Sequence, residues 1–291
     1  MMSVDLLKVT DRRRLASIVQ DQLREQTEVR SFSTSISQLL AACQDPNVTP
    51  TTFEEIIQCD PDLSARLLRV ANSRFYGCNR ELTGIGEVVA LLEVPQLKHL
   101  AFALAGARMF REGDTAAQQR EELWHHSLGC AIVAELLAKT AIGVDPEEAF
   151  LGGIFHDVGK LFLLDVVPEP YGEMTQAFWN NELVEDERRM FGVTHEEIGL
   201  KSSHTWSFSE AMKAGIGFHH RPNEASGYRE FVRVLSAANV LSRFWGVGSV
   251  EGTYAEAAKE QIEVLKLSEV DQSSLAEQAR AKFVDAQLAM Q

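Results

Sequence analysis

The sequence predicts an all-α fold, and three observations carry that prediction. Apolar residues recur at helical spacing in almost every segment, candidate strands are too short and too few to build a sheet, and glycine and proline clusters punctuate the chain. A first helix is expected over residues 11–27, with Leu15, Ile18, Val19 and Leu23 on one face and Arg13, Gln20 and Arg24 turned away. Asp60-Pro61 starts another: the acid caps, and proline at the first helical position gives up an N–H that has no intrahelical partner. It carries Leu63, Leu67, Leu68 and Ala71 inward. Further helices are expected over residues 87–93, 94–110, 121–139, 146–164, 194–203 and 231–244. Gly84-Ile85-Gly86, Arg111-Glu112-Gly113-Asp114 and Pro168-Glu169-Pro170 separate them. Beyond Gly246-Val247-Gly248, two amphipathic helices are expected over residues 254–267 and 273–290, the second aligning Leu275, Ala279, Phe283 and Ala286. There is no internal repeat and no low-complexity tract.

With 291 residues, 45% hydrophobic and 24% charged, the chain is neither disordered nor collagenous nor a disulfide-stapled mini-protein. Lys and Arg number 28 against 42 Asp and Glu, a net charge of −14 that argues against nucleic acid as a partner, because phosphate binding needs clustered cations. No apolar run approaches a membrane span, and Asp11, Arg12, Arg13 and Arg14 interrupt the stretch where a signal peptide needs its apolar region. The expectation is a cytoplasmic protein without membrane contact. Cys43, Cys59, Cys78 and Cys130 form no CxxC pair and read as small buried hydrophobes.

The chemistry concentrates in the middle of the chain, where His125, His126, His156, His195, His219 and His220 accompany Asp157. Asp157 lies in an otherwise apolar stretch, Ile154-Phe155-His156-Asp157-Val158-Gly159-Lys160. Burying a lone carboxylate costs several kcal/mol, so Asp157 must be paired, act as a cap or hold a cation. Imidazole nitrogens with carboxylate oxygens suit iron, manganese, nickel or zinc, and a hydrogen-bonded polar core is the other reading of the same residues. No P-loop, GxGxxG motif or nucleophile elbow occurs.

The segments Trp124-His125-His126-Ser127-Leu128, Ala149 to Lys160, Gly192-Val193-Thr194-His195 and Gly217-Phe218-His219-His220-Arg221-Pro222 together resemble an HDOD domain. This is the signalling-associated branch of the all-helical HD phosphohydrolase superfamily. The front portion fits in order and spacing through Asp60 to Ser73, Phe75-Tyr76-Gly77 and Val89-Ala90-Leu91-Leu92. The resemblance runs from Ser31 to Phe244 and implies an HD-domain-like helical bundle with a smaller N-terminal helical subdomain. The expected organisation is an N-terminal helix over 1–30, an HDOD domain over 31–245 and C-terminal helices over 246–291. Within the domain, 31–115 forms the front and 116–245 the bundle.

The resemblance also implies a ligand set for one or two divalent ions: His126, the pair His156 and Asp157, and further His195, His219 and His220. Where active relatives place a late aspartate, this chain has Asn239, which offers a dipole in place of a charge. Gly227-Tyr228 is followed by Arg229 rather than the proline of HD-GYP phosphodiesterases, so cyclic-dinucleotide cleavage is not implied. In an active enzyme Asp157 and Lys160 are the catalytic candidates; Lys160 faces a phosphate or is a solvated lysine near a helix end. His125 is expected at a boundary, and His99 and His204 are expected to be ordinary partly exposed histidines. Asn72 and Ser73 are expected to cap a helix and bond to the neighbouring loop, and Phe75-Tyr76 to pack in the core or a domain interface, with a recognition surface as the alternative. Gly84-Ile85-Gly86 with Val88, Val89, Leu91 and Leu92 reads as core packing or as a partner groove between the halves. The function so implied is a cytoplasmic signal-transduction module contacting signalling proteins, or a nucleotide or phosphate ligand through Lys160 and Arg221. The alternative is a metal-dependent phosphohydrolase acting on phosphoesters or nucleotides.

Overall fold

The computed structural model describes residues 16–23, 34–45, 47–72, 80–92, 94–111, 116–177, 181–206, 208–248 and 254–290. Every regular element among them is helical, in keeping with the all-α expectation. In chain order they are α1 (residues 16–23), α2 (Thr34–Gln44), α3 (Pro50–Gln58), α4 (Pro61–Ala71), α5 (Ile85–Leu91), α6 (Val94–Arg111), α7 (Ala117–Ala138) and α8 (Pro146–Phe155). Then follow α9 (Val158–Val166), α10 (Pro168–Ala177), α11 (Asn181–Phe191), α12 (His195–Ser203), α13 (Glu210–Phe218), a 3-10 turn (Pro222–Glu224), α14 (Arg229–Phe244), α15 (Ala255–Leu265) and α16 (Glu269–Met290). None of these helices is long and apolar enough to cross a membrane.

Short local signals set most of the starts. Thr49, Asp60, Asp145, Thr194 and Ser209 each accept, through a side-chain oxygen, the backbone N–H three residues on. That contact satisfies one of the donors a helix start leaves open. Proline follows the cap in α3, α4 and α8, and Thr194 with Glu197 completes a capping box. Asp60 does more than cap: its second oxygen accepts from Ser35 of α2 at 2.8 Å, so one carboxylate ties two front helices together. Asn72 closes α4 and exchanges two hydrogen bonds with Leu82, as expected of it. Ser73, Phe75-Tyr76, Arg111's neighbours over 112–114 and the ends of the expected 11–27 helix lie outside the described residues.

Helix α7 is the axis. It is buried almost continuously from Leu123 to Ala138, and α6, α8, α14 and α16 pack around it. Helix α6 also lies on α2 and α4, so it joins the front helices to the bundle, and one apolar core runs from Val19 to Phe283. Two glycines permit the closest crossings. A Cβ on Gly153 of α8 would stand 2.4 Å from Ala131 Cα of α7, and one on Gly159 of α9 would stand 1.9 Å from the His195 carbonyl oxygen of α12.

Several expectations need correction. The single helix expected over 146–164 is two helices, because the chain turns at His156 and Asp157, the latter with φ −98° and ψ 12°. Pro168-Glu169-Pro170, expected as a break, begins α10, since the first turn of a helix has no use for the N–H groups those prolines lack. Helices α2, α3, α11 and α13 lie where the pattern singled out none. In α13 the glycines lower propensity, but Gly215 admits Leu235, so packing overrides it. Ile18 is 47% exposed although Val19 and Leu23 are buried. Leu91, read with the apolar end of the front half, is 47% exposed as well. Cys59 is exposed while Cys130 is buried, and the side chains of Cys43 and Cys78 are outside the described set.

Gly159→Ala is expected to destabilise the protein by about 1–3 kcal/mol or more, because backbone, not a flexible side chain, must retreat. Urea unfolding of the variant beside wild type checks this, and a loss under about 0.5 kcal/mol, typical of an unconstrained surface position, would refute it.

Candidate metal centre

The candidate residues converge on one point. Helix α7 supplies His126, the joint between α8 and α9 supplies His156 and Asp157, the first turn of α12 supplies His195, and the end of α13 supplies His219 and His220. Asp157 is fully buried, and His126, His156, His195 and His219 are at most 1% exposed; His220 is partly buried. Ligand atoms of Asp157, His195, His219 and His220 all lie within 4.8 Å of one another, and so do those of His126, His156 and Asp157. The carboxylate of Asp157 is shared by both groups.

The outer nitrogens fix how the rings face. His156 Nδ1 is 2.8 Å from the Gly153 carbonyl, and His219 Nδ1 is 3.1 Å from that of Ile216. A carbonyl only accepts, so Nδ1 of both rings carries the proton and, in the neutral ring, Nε2 presents a lone pair inward. His195 Nδ1 lies 2.8 Å from Glu187 Oε2. That buried carboxylate also accepts the His195 backbone N–H at 2.8 Å and the Tyr171 hydroxyl at 2.5 Å. Burial, followed by the charge of Glu187, pushes the Tyr171 phenol well above its ordinary value, which keeps it a donor.

The inner atoms then split into two faces of Asp157. On the first, Asp157 Oδ1, His195 Nε2 and His219 Nε2 form a near-equilateral triangle with edges of 3.3, 3.4 and 3.4 Å. Nitrogen ligands about 2.0–2.1 Å from a tetrahedral ion stand about 3.4 Å apart, so the spacing fits such an ion. Asp157 Oδ1 has no hydrogen-bond partner although it is buried, as a group awaiting a cation would be.

On the second face two cationic side chains are already present, although His156 Nε2 has no hydrogen-bond partner there. Lys160 Nζ donates to Asp157 Oδ2 at 2.7 Å, with His156 Nε2 at 3.3 Å and His126 Nε2 at 3.6 Å from that oxygen. Arg243 Nη2 is 2.9 Å from His126 Nε2 and 4.0 Å from the same carboxylate oxygen. Burial alone would raise the Asp157 carboxyl, but the field of His156 and the Lys160 ammonium hold it well below the usual carboxylate range. Burial and then Arg243 push His126 well below its ordinary value, which suits an acceptor of the guanidinium proton. Asn239 Oδ1 stands 3.0 Å from His126, so the asparagine occupies the expected late position beside the early histidine.

All six expected ligands are thus brought together. Lys160 corrects one alternative: it is 1% exposed and paired, not solvated, because α9 turns it back onto Asp157. Arg221 is engaged by Glu196 and Glu224. His125 faces Glu121 and the edge of Phe283, His99 stacks on Phe150, and His204 is exposed. A cavity of about 620 Å³ adjoins the centre, with His219, His220, Asn239, Arg243, Arg221 and Tyr254 in its wall.

Four residues of the site were not anticipated: Arg243, Glu187, Tyr171 and Glu196. Glu196 is fully buried and accepts the His220 backbone N–H and the Arg221 guanidinium, which holds the end of α13 in place. Glu187 had a signal in the sequence, since it occupies the same helical face as buried Leu183, Met190 and Phe191.

Residues 29–222 match the HDOD domain family. The chain belongs to the HDOD family. A Treponema pallidum (strain Nichols) protein without an assigned function is 23% identical over 239 residues, covering 81% of this chain but only 45% of that protein. This HDOD protein therefore spans less than half the length of that relative. It is similar to a crystal structure provisionally named a phosphohydrolase from Shewanella amazonensis SB2B, 26% identical with a TM-score of 0.68 over 92% of this chain and 96% of that one. It also shares its fold with a structure provisionally named a signal transduction protein from Marinobacter aquaeolei VT8, 19% identical with a TM-score of 0.76 over 99% and 67% of the two chains.

Glu187→Ala is expected to cost about 1–3 kcal/mol, because it strands the buried Tyr171 hydroxyl and the His195 N–H groups. Glu187→Gln keeps an acceptor and is expected to recover part of that loss in urea unfolding; equal stability of Ala and wild type would refute the role.

Proposed function

We propose that this HDOD protein is a signal-transduction module whose His/Asp cluster holds a divalent transition metal. The observation that carries it is the triangle of Asp157 Oδ1, His195 Nε2 and His219 Nε2, three inward-facing atoms at the spacing of a metal's ligands. Second contacts support the same reading: two rings are oriented by backbone carbonyls and a third by a carboxylate, an arrangement that fixes metal-binding histidines. Iron, manganese, nickel and zinc all suit such donors. The signalling role rests on family membership and on the neutral Asn239, which removes a charge from the set that active relatives use. Its protein partners are other signalling proteins, and its working place is the cytoplasm.

A second reading is a metal-dependent phosphohydrolase, and the cavity favours it. A divalent ion at the triangle would supply Lewis-acid polarisation of a phosphoryl oxygen. His220 and Arg221 line that cavity, and in this reading Arg221 would exchange its contacts with Glu196 and Glu224 for a phosphate-bearing ligand, such as a nucleotide. Lys160 is not in that wall, so its part there is to balance the charge of Asp157, not to grip substrate.

Protein purified without an affinity tag or added metal is expected to contain near-stoichiometric transition metal by elemental analysis. His219→Ala and Asp157→Ala are expected to lose it; the second variant also strands buried Lys160 and Arg243, so its unfolding curve is recorded alongside. Metal-free wild type that stays empty on titration with manganese and zinc would refute the metal centre. A panel of phosphomonoesters, phosphodiesters and nucleotides is expected to show no turnover by the loaded protein, and turnover that disappears in His219→Ala would establish the second reading.

A further inference from the structure

We propose that the Arg243 guanidinium, with the Lys160 ammonium, is the built-in cation of the second face of Asp157, so that the centre accepts one metal ion and not two. The inference rests on the metal reading above and adds its stoichiometry. An ion shared by His126, His156 and Asp157 Oδ2 would need His126 Nε2, which already stands 2.9 Å from Arg243 Nη2 and 3.0 Å from Asn239 Oδ1, so whichever partner it serves it is engaged. It would also need Oδ2, and Lys160 Nζ already donates to that oxygen at 2.7 Å.

Charge argues the same way. Two cationic side chains stand within 4.0 Å of a single carboxylate oxygen, so this face is net positive before any ion arrives. A dication brought there meets like charge in a buried setting, where screening is weak. Asn239 supplies no counter-charge. A lysine can vacate such a place by giving up its proton, but a guanidinium cannot. Arg243 is 3% exposed and held on its other side by the Tyr254 ring, 5.8 Å away. The first face differs: Oδ1 meets the edges of His195 and His219, whose lone pairs face the same point.

Two residues of α14, one turn apart, thus decide the metal count: Asn239 withholds the anion and Arg243 supplies the cation. The test is equilibrium dialysis against manganese with elemental analysis, on wild type and on the double variant Asn239→Asp with Arg243→Gln. Wild type is expected to saturate at one ion per chain and the double variant at two. Glutamine keeps donors and much of the length of arginine, and unfolding curves confirm that the variant is folded. Electron paramagnetic resonance of the manganese-loaded wild type, which needs no variant, is expected to give the spectrum of an isolated ion. A spin-coupled pair, or two ions bound by wild type, overturns the proposal, as does a folded double variant that still binds one. No binding by either protein overturns the metal reading itself, which is a different result from a miscount.

Discussion

The burial of one carboxylate organises this protein. Asp157 sits fully buried at the joint between α8 and α9, where an unpaired charge would cost several kcal/mol even after relaxation. The fold answers with Lys160 from α9, which donates to the carboxylate, Arg243 from α14 at 4.0 Å, and the ring nitrogens of His126 from α7, His195 from α12 and His219 from α13 around it. Those helices must meet at close range, and the chain turn at His156 and Asp157 lets one carboxylate face all of them. Interchanging any partner for an apolar residue would change the charge balance of the whole cluster, not one contact.

Close range is bought with small residues at the crossings. Gly153 brings α8 onto the backbone of α7, and Gly159 brings α9 onto the backbone carbonyl of His195 itself. The second crossing bears directly on the chemistry. His195 is positioned by that backbone contact on one side, by the Thr194 capping box at its own helix start, and by Glu187 through both its ring and its N–H. A side chain held at three points has little freedom to follow a displaced neighbour, so a packing change at Gly159 is transmitted to the cluster.

The sequence made the His/Asp cluster legible and left most of its neighbours hidden, for a physical reason. His126, His156-Asp157, His195 and His219-His220 lie in short motifs whose polar residues interrupt apolar helices, and a buried polar residue is conspicuous. Arg243 is a buried polar residue too, but it lies in the last turn of α14, where exposure is the ordinary expectation, and Glu187, although on an apolar face, sits between charged Glu185, Asp186, Arg188 and Arg189. Arg243 is one turn beyond Asn239 on the same face of α14, and no motif in the sequence links the two. Lys160 was ambiguous because a lysine near the start of α9 can equally reach water; only the turn between α8 and α9 sends it back to Asp157. The helices behaved alike: Pro168 and Pro170 read as a break until their place in a first turn is known, and the glycines of α13 read as loop until Leu235 is seen packed against one of them.

The two faces of Asp157 also divide along the chain. Every histidine of the centre falls within residues 29–222, the stretch that matches the HDOD family, whereas Asn239, Arg243 and the Tyr254 side of the cavity come after it. The shared stretch therefore provides the His/Asp cluster, and α14 with α15 sets its surroundings: the net charge on one face and the shape of the space on the other. A guanidinium anchored between His126 and Tyr254 couples these two settings, because the same side chain neutralises the carboxylate and lines the cavity. A ligand entering that space with negative charge would meet Arg243 from the outside while Asp157 holds it from within. One wall of the cavity and the charge balance of the buried centre thus depend on the same side chain, and a substitution at Arg243 alters both.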